Sequence, residues 1–326
     1  MQFADFQYAS TLVQNQALLD PLENLMPPAE PRQRSATTAS ARKAAEKKLA
    51  LWQPPRVEFS SPLVDKKSSR FELAKLDSAA KPYSSGNKAR DKAALAALAS
   101  ELDTLQNLFF ADKRYKLLVV LQGTDTSGKD GTLRDVFNRM SPLGVHTVGW
   151  KAPTEDERAH DYLWRIHQKM PGAGEIMIFN RSHYEDVLVP PVNGWITAEQ
   201  TAQRFAQINA FERMLTDTGT MVLKFMLHIS FEEQRQRLQE RIDDPEKHWK
   251  FSLGDLEVRK QWKQYQKAYE DLLCATSTTW APWTVVPADS KTHRSLMIAT
   301  VLLQRLVQLD LRYPPRNPEL KGLKIA

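Results

Sequence analysis

A chain of 326 residues with 42% hydrophobic content can bury a real core, either as one large α/β domain with an appendage or as two modest domains. Its net charge of +6 and pI near 9.2 suit polyanionic partners, although a basic soluble protein with no special partner has the same balance. A single cysteine, Cys274, excludes an internal disulfide and a cysteine-based metal cluster. No apolar run reaches the length of a membrane span, and the N-terminus lacks a basic-then-apolar signal pattern, so a cytoplasmic location is expected.

Residues 1–20 scatter Phe3, Phe6, Tyr8, Leu12, Leu18 and Leu19, enough for a short docking helix. The next stretch is punctuated by Pro27, Pro28, Pro31, Pro54, Pro55 and Pro62 and made basic by Arg32, Arg34, Arg42, Lys43, Lys47 and Lys48. Residues 1–68 are therefore expected to be a basic, Pro-rich extension, largely disordered or peripheral, with one helix near Ala39–Leu51. Such an arm could touch a polyanion or a partner subunit, or be a solvated tail. From Ser69 the pattern becomes globular. Leu95, Leu98, Leu102, Leu105 and Phe109 recur at helical spacing within Asn87–Phe110. Strands are predicted at Leu117–Gln122, Val145–Trp150, Glu175–Asn180, Thr220–His228 and Pro282–Pro287. Helices are predicted between them at Thr132–Met140, Asp156–Met170, Thr197–Thr218 and Glu232–Ile242, with Thr292–Tyr313 closing the chain. Alternating strands and helices imply right-handed crossovers and a mainly parallel sheet covered on both faces. Ligands in such folds sit at the carboxyl ends of strands.

Leu117–Arg134, LLVVLQGTDTSGKDGTLR, runs from an apolar strand through a glycine loop into a helix, with Gly123, Gly128 and Lys129 in G-x-x-x-x-G-K spacing. That is the context in which a P-loop is meaningful. Backbone N–H groups of Ser127, Gly128, Gly131 and Thr132 would converge on phosphate oxygens, the helix start adds partial positive charge, and Lys129 supplies a point charge. The position after the lysine, usually Ser or Thr for Mg²⁺, is Asp130. Metal binding is therefore expected to move elsewhere, with Asp125 the nearest candidate.

Two further clusters follow predicted strands or helices. Asn180–Asp186, NRSHYED, places Arg181, Glu185 and Asp186 where a Walker-B-type acid stands, and Asp186 with Asp125 would suit Mg²⁺. The acids could instead open a helix and complement its dipole, and Arg181 could be a surface ion pair rather than a phosphate clamp. The segment Glu240–Lys260 gathers Arg241, Lys247, His248 and Lys250 around Trp249 and Phe251, with Pro245 ending one helix. It reads either as a lid at about 240–262 that closes over a phosphate chain or as a solvated charged face. Beyond it, Trp262, Tyr265, Tyr269 and Leu272 share the inner face of another helix. Phosphoryl transfer asks little beyond positioning and charge neutralisation, which a P-loop lysine, one metal and arginines from two segments would meet.

From about Ser69 to Tyr313 the chain resembles the polyphosphate kinase 2 family. The matching segments are LQGTDTSGKDGT, APTEDE with HDYLWRIHQKMP, FNRSHYEDVLVPPV, LKFMLHIS and DDPEKHWKFSLGDLEVRKQWKQYQKAYE. The resemblance implies an α/β P-loop kinase fold, thymidylate-kinase-like, with a parallel five-stranded sheet flanked by helices and a helical lid. It implies Mg²⁺-dependent, reversible phosphoryl transfer between inorganic polyphosphate and nucleotides. Glu185-Asp186 after NRSHY is similar to the subclass that accepts both AMP and ADP, with guanine nucleotides left open. By the same resemblance Asp125, Lys129 and Arg181 are catalytic, and Asp125 and Asp186 hold Mg²⁺. Arg241, Lys247 and Lys250 meet phosphates with the P-loop, while Glu185 and Arg165 serve the nucleotide. A homo-oligomer, dimer or tetramer, is implied; no nucleic acid or membrane partner is expected.

Residues 69–326 are then the phosphotransferase domain, and residues 1–68 lie outside the resemblance. A polyphosphate kinase restricted to diphosphates or to AMP, a conventional ATP-dependent nucleotide kinase, and a non-catalytic polyanion or nucleic-acid binder remain alternatives. The last has no use for Asp125, Lys129 and Asp186 together.

Overall fold

The computed structural model describes residues 44, 46–57 and 71–325. The expected helix within residues 1–20 and most of the basic arm lie outside the described residues. Residues 46–50 are helical, and Leu49 and Trp52 are buried against the core. Trp52 O accepts from Val285 N, and Val57 pairs with Thr278 in a parallel bridge. The packed body thus takes in residues 46–57, upstream of the boundary expected at residue 69. Two large apolar side chains outweigh the prolines around them there.

In chain order the body comprises α1 (Lys88–Asp112), β1 (Lys116–Gly123), α2 (Lys129–Val136), β2 (Val145–Gly149), α3 (Glu155–Ala159), α4 (Trp164–His167) and β3 (Ile176–Asn180). A 3₁₀ turn, His183–Val187, follows β3 and leads to α5 (Val189–Val192), α6 (Ala198–Asp217) and β4 (Thr220–His228). Then come α7 (Phe231–Asp243), a 3₁₀ turn at Pro245–Lys250, α8 (Leu253–Lys260), α9 (Trp262–Thr276), β5 (Trp283–Pro287) and α10 (Lys291–Gln308). The five strands are all parallel, in the order β2-β3-β1-β4-β5. This is the α/β arrangement the alternating pattern predicts.

β1 is the hinge of that order. Residues Leu117, Val119 and Leu121 face one apolar layer, with α1, α2 and α10; Leu118 and Val120 face the other, with α6 and α9. Burial on both faces is why its sequence reads as a continuous apolar run rather than an alternation. The chain runs from β1 to β2 and back through β3 on one side, then crosses to β4 and β5 on the other. A crevice therefore opens at the carboxyl end of β1, between β3 and β4.

Three helices differ from their predicted spans, the closing one ending at Gln308 (α10) rather than Tyr313. The helix predicted over Asp156–Met170 is broken into α3 and α4, where Asp161 turns the chain by accepting from Leu163 N at 2.9 Å and His160 stacks on Trp164. The P-loop helix starts at Lys129 and stops at Val136, earlier at both ends than the predicted Thr132–Met140.

Candidate active site

The P-loop spans the turn between β1 and α2. Gly123 and Gly128 have φ of 151° and 102°, conformations that side chains resist. A Cβ on Gly123 would stand 2.7 Å from Leu227 O of the neighbouring strand, and one on Gly128 would stand 1.9 Å from Arg294 Nη1. The glycines therefore let the loop close onto β4 and α10 at once. Arg294 is almost fully buried behind the loop, paired with Asp135 at 3.3 Å, and burial pushes its guanidinium pKa down to about 10. Arg237 of α7 holds the loop from another side, donating to Thr126 O at 2.9 Å and to the carbonyls of Ala288 and Asp289 after β5. Gln234 of α7 donates to Asp125 O. The cradle is thus fixed by backbone contacts from three elements.

Lys129 is folded into this cradle. Its Nζ donates to Gly123 O at 2.7 Å and Thr124 O at 3.1 Å and lies 3.5 Å from Ser127 Oγ. Burial pushes its pKa down to about 8, and the nearby Arg181 adds to the shift. A buried ammonium bonded only to neutral oxygens is a charge in want of an anion. Thr132 Oγ1 turns back to Gly128 O, and Gly131 lies against Arg294, so these two complete the helix start.

β3 delivers the second half of the site. Its end is a sharp corner in which Arg181 has φ of 65°, with its N–H donating to Leu121 O. The guanidinium swings back to Asp125 Oδ1 at 2.5 Å and to Glu185 Oε2 at 3.3 Å. Burial opposes its charge, but Glu185 and Asp125 outweigh that and hold its pKa above the ordinary arginine value. Asn180 Nδ2 donates to Asp130 Oδ1 at 2.8 Å, so the acid standing in the usual Ser/Thr position ties α2 to β3. Asp125, Arg181 and Glu185 share a cleft of about 310 Å³ with Gly123, Leu188, Tyr265 and Tyr269. Glu257, Val258, Lys260 and Gln261, at the end of α8 and just beyond it, line the same cleft.

Other expected site residues stand elsewhere. Asp186 turns away from that cleft's lining; Arg204 approaches its Oδ1 at 3.9 Å, and its Oδ2 is buried with no hydrogen-bond partner among the described residues. Burial raises its pKa, against the pull of Arg165 and Arg204. Arg165 is buried under the sheet's end, bonded to Lys151 O and Glu157 and stacked on Trp150. Arg241 pairs with Asp255 and donates to Lys250 O. Lys247 pairs with Asp244, and Lys250 covers Trp249. These three brace the 240–262 segment and are absent from the cleft lining, which α8 supplies instead.

Several contributors went unassigned in the sequence. Tyr265 and Tyr269 read as the inner face of a helix, which they are, but they also floor the cleft. Gln122 stands inside the P-loop segment with no role of its own. Lys224, a lysine in the middle of an apolar strand, was the one visible anomaly. It is fully buried and bonds Glu212 at 2.6 Å, Tyr184 at 2.7 Å and Thr276 O at 2.8 Å. That knot lies directly beneath the turn carrying Glu185 and Asp186.

A P-loop lysine, a cleft-facing arginine–aspartate pair and a helical cover can bind phosphates and stabilise charge moving between them. The family model for polyphosphate kinase 2 (PPK2) matches residues 85–313. The chain is 49% identical over 257 residues to the AMP/ADP-polyphosphate phosphotransferase of Meiothermus ruber, a match spanning 79% of this chain and 96% of that one. It is 38% identical over 229 residues to the ADP-polyphosphate phosphotransferase of Rhodopseudomonas palustris, spanning 67% and 79% respectively. Among solved structures, the crystal structure of polyphosphate kinase 2 from Arthrobacter aurescens TC1 superposes with a TM-score of 0.74 at 44% identity, covering 81% of this chain and 95% of that one. The cradle, the β3 corner and these likenesses lead to one conclusion: the chain belongs to the polyphosphate kinase 2 family.

Proposed function

We propose that this protein transfers phosphoryl groups from inorganic polyphosphate to nucleotides, converting AMP to ADP and ADP to ATP. The observation that carries the reading is buried Lys129 standing within electrostatic reach of the Arg181–Asp125 pair at the switch point of the sheet. In the transfer, a terminal P–O bond of polyphosphate breaks as a bond forms to an oxygen of the acceptor phosphate. Lys129 and the P-loop amides hold the phosphates in line, and Arg181, released from Asp125, follows the charge on the moving group. The α8 cover excludes water, which would otherwise take the phosphoryl group. Acceptance of both AMP and ADP rests on Glu185 lining the cleft and on the likeness to a relative named for both acceptors.

Asp125 offers the cleft a hard carboxylate that suits Mg²⁺, whereas Asp186, its expected co-ligand, stands outside the cleft lining with Oδ2 buried and unpartnered among the described residues. No group of three or more metal-binding side chains occurs among the described residues. Bound at Asp125, Mg²⁺ would neutralise charge on the phosphates. A homo-oligomer and a cytoplasmic location belong to the same reading. No described helix is long and apolar enough to cross a membrane, and sedimentation would give the assembly.

The test is an ATP-free reaction of polyphosphate with AMP, and separately with ADP, with and without Mg²⁺, followed by phosphorus NMR. Product from both acceptors, only with Mg²⁺, is expected. Reaction of AMP with ATP but not with polyphosphate would replace this reading with a conventional nucleotide kinase.

A further inference from the structure

Glu185 owes its orientation to a residue buried behind it. Gln122, in the last turn of β1 before the loop, is fully buried, and its Nε2 donates to Glu185 Oε1. Its Oε1 accepts from Ser182 Oγ at 3.1 Å. Ser182 Oγ in turn accepts from Tyr184 N at 3.1 Å, so its only proton is directed at Gln122. The amide cannot turn over: reversed, its oxygen would face a carboxylate oxygen and its NH₂ would face the hydroxyl proton. Arg181 Nη1 takes the other carboxylate oxygen at 3.3 Å. Both oxygens of Glu185 are thereby held, one by a cation that also serves Asp125 and one by a buried neutral amide that also interacts with Tyr269 in the cleft floor.

These two holds differ in kind. Arg181 lines the cleft, where an incoming phosphate meets it directly. Gln122 is locked from behind by Ser182 and keeps its place. We propose that Gln122 is a positioning residue for acceptor choice: it keeps the Glu185 carboxylate fixed while Arg181 exchanges Asp125 and Glu185 for phosphate. AMP brings one phosphate fewer than ADP, so it has fewer contacts to cations that could offset a misplaced carboxylate and is the acceptor more sensitive to where Glu185 stands. The inference rests on Glu185 governing the acceptor, as in the proposed function.

The test compares Gln122→Leu, Glu185→Asn and the double variant, measuring kcat and KM for AMP and for ADP with polyphosphate, and thermal unfolding of each preparation. Gln122→Leu should lower kcat/KM for AMP by roughly tenfold more than for ADP, the worth of one hydrogen bond to a charged group. In the Glu185→Asn background it should change the AMP-to-ADP ratio no further, because it acts through Glu185. Gln122→Glu keeps the acceptor for Ser182 but sets a carboxylate against Glu185, so it should lower the ratio as well; it serves if the leucine variant fails to fold. Equal losses on both acceptors, additive effects in the double variant, or a lowered melting temperature with unchanged kinetics would each overturn the role of Gln122. If Glu185→Asn itself leaves the ratio unchanged, the acceptor reading fails and this inference falls with it. If Glu185→Asn shifts the ratio and neither Gln122 variant does, this inference alone fails.

Discussion

Arg181 Nη2 lies 2.5 Å from Asp125 Oδ1, so the first residue after β3 closes directly on the loop that follows β1. Neither residue can serve phosphate while fully committed to the other. If phosphate displaces Asp125 from Arg181, as proposed, the arginine becomes available to the transferring group. Arg181→Ala should reduce kcat by about 10³-fold or more, the scale of a transition-state arginine. Arg181→Lys should restore only a small part, because an ammonium has no fork with which to hold two oxygens. Initial rates with polyphosphate and ADP check this. A loss of less than tenfold in the alanine variant would reduce Arg181 to an ion-pair partner.

Gly128 is a second point where geometry is decisive. Its φ of 102° already disfavours a side chain, and an added Cβ would fall 1.9 Å from the buried Arg294 guanidinium. Gly128→Ala should lose activity and cost upwards of about 1–2 kcal/mol of stability from the backbone conformation alone. Gly194, with φ of 69° and open space around it, is the control: its alanine variant carries the backbone strain but no clash. Urea unfolding of both variants measures the difference. Equal losses would mean that Arg294 yields easily and is not packed as a wall behind the cradle.

The phosphate cradle was legible because P-loop chemistry is local: spacing, strand and helix lie within twenty residues of sequence. The five strands were legible for a related reason, since burial on both faces writes them as short apolar runs. What escaped was which partner each charged side chain takes, a choice that spacing alone does not fix even within a turn or two. Nothing near Arg165 in sequence reveals that Lys151 O and Glu157 will claim its guanidinium. Nothing near Lys247 says that Asp244 will hold it on the outside of its turn. The start of the body was misplaced because composition outweighs two residues in a sequence reading, whereas in the fold Leu49 and Trp52 decide. Lys224 went unread although a charge inside the apolar strand Thr220–His228 was a local signal of its buried partner.

Lys129 sets a pH dependence with two signs. Its pKa of about 8 in the folded protein lies below the ordinary lysine value of 10.5, so between those pH values the unfolded chain binds the extra proton. Stability of the ligand-free protein should therefore gain from Lys129 as pH rises from about 8 towards 10.5. Polyphosphate works in the opposite direction, because it favours the protonated amine. Affinity should fall as pH rises through about 8, by about tenfold between pH 7 and pH 9 if Lys129 alone titrates. Titration calorimetry at fixed ionic strength, comparing the natural protein with Lys129→Arg, isolates the effect, since arginine stays charged throughout. Identical pH slopes in the two proteins would remove Lys129 from the linkage.

The knot beneath the acceptor turn makes the sharpest stability prediction. Glu212 and Lys224 are both fully buried, and the carboxylate also accepts from Tyr184 Oη at 2.7 Å and meets His183 Nε2 at 3.3 Å. Every donor of Lys224 is used, which is what makes a charge tolerable at that depth. Lys224→Met leaves Glu212 without a cation and should cost about 3–5 kcal/mol. Adding Glu212→Leu removes the stranded charge and should recover part of that loss. Full recovery is not expected, because the Tyr184 hydroxyl then loses both partners at a cost of about 1–3 kcal/mol. Urea unfolding of the two single variants and the double variant gives the cycle. A single-variant loss below about 1 kcal/mol would mean that Glu212 takes up a proton and the knot is held by neutral hydrogen bonds instead.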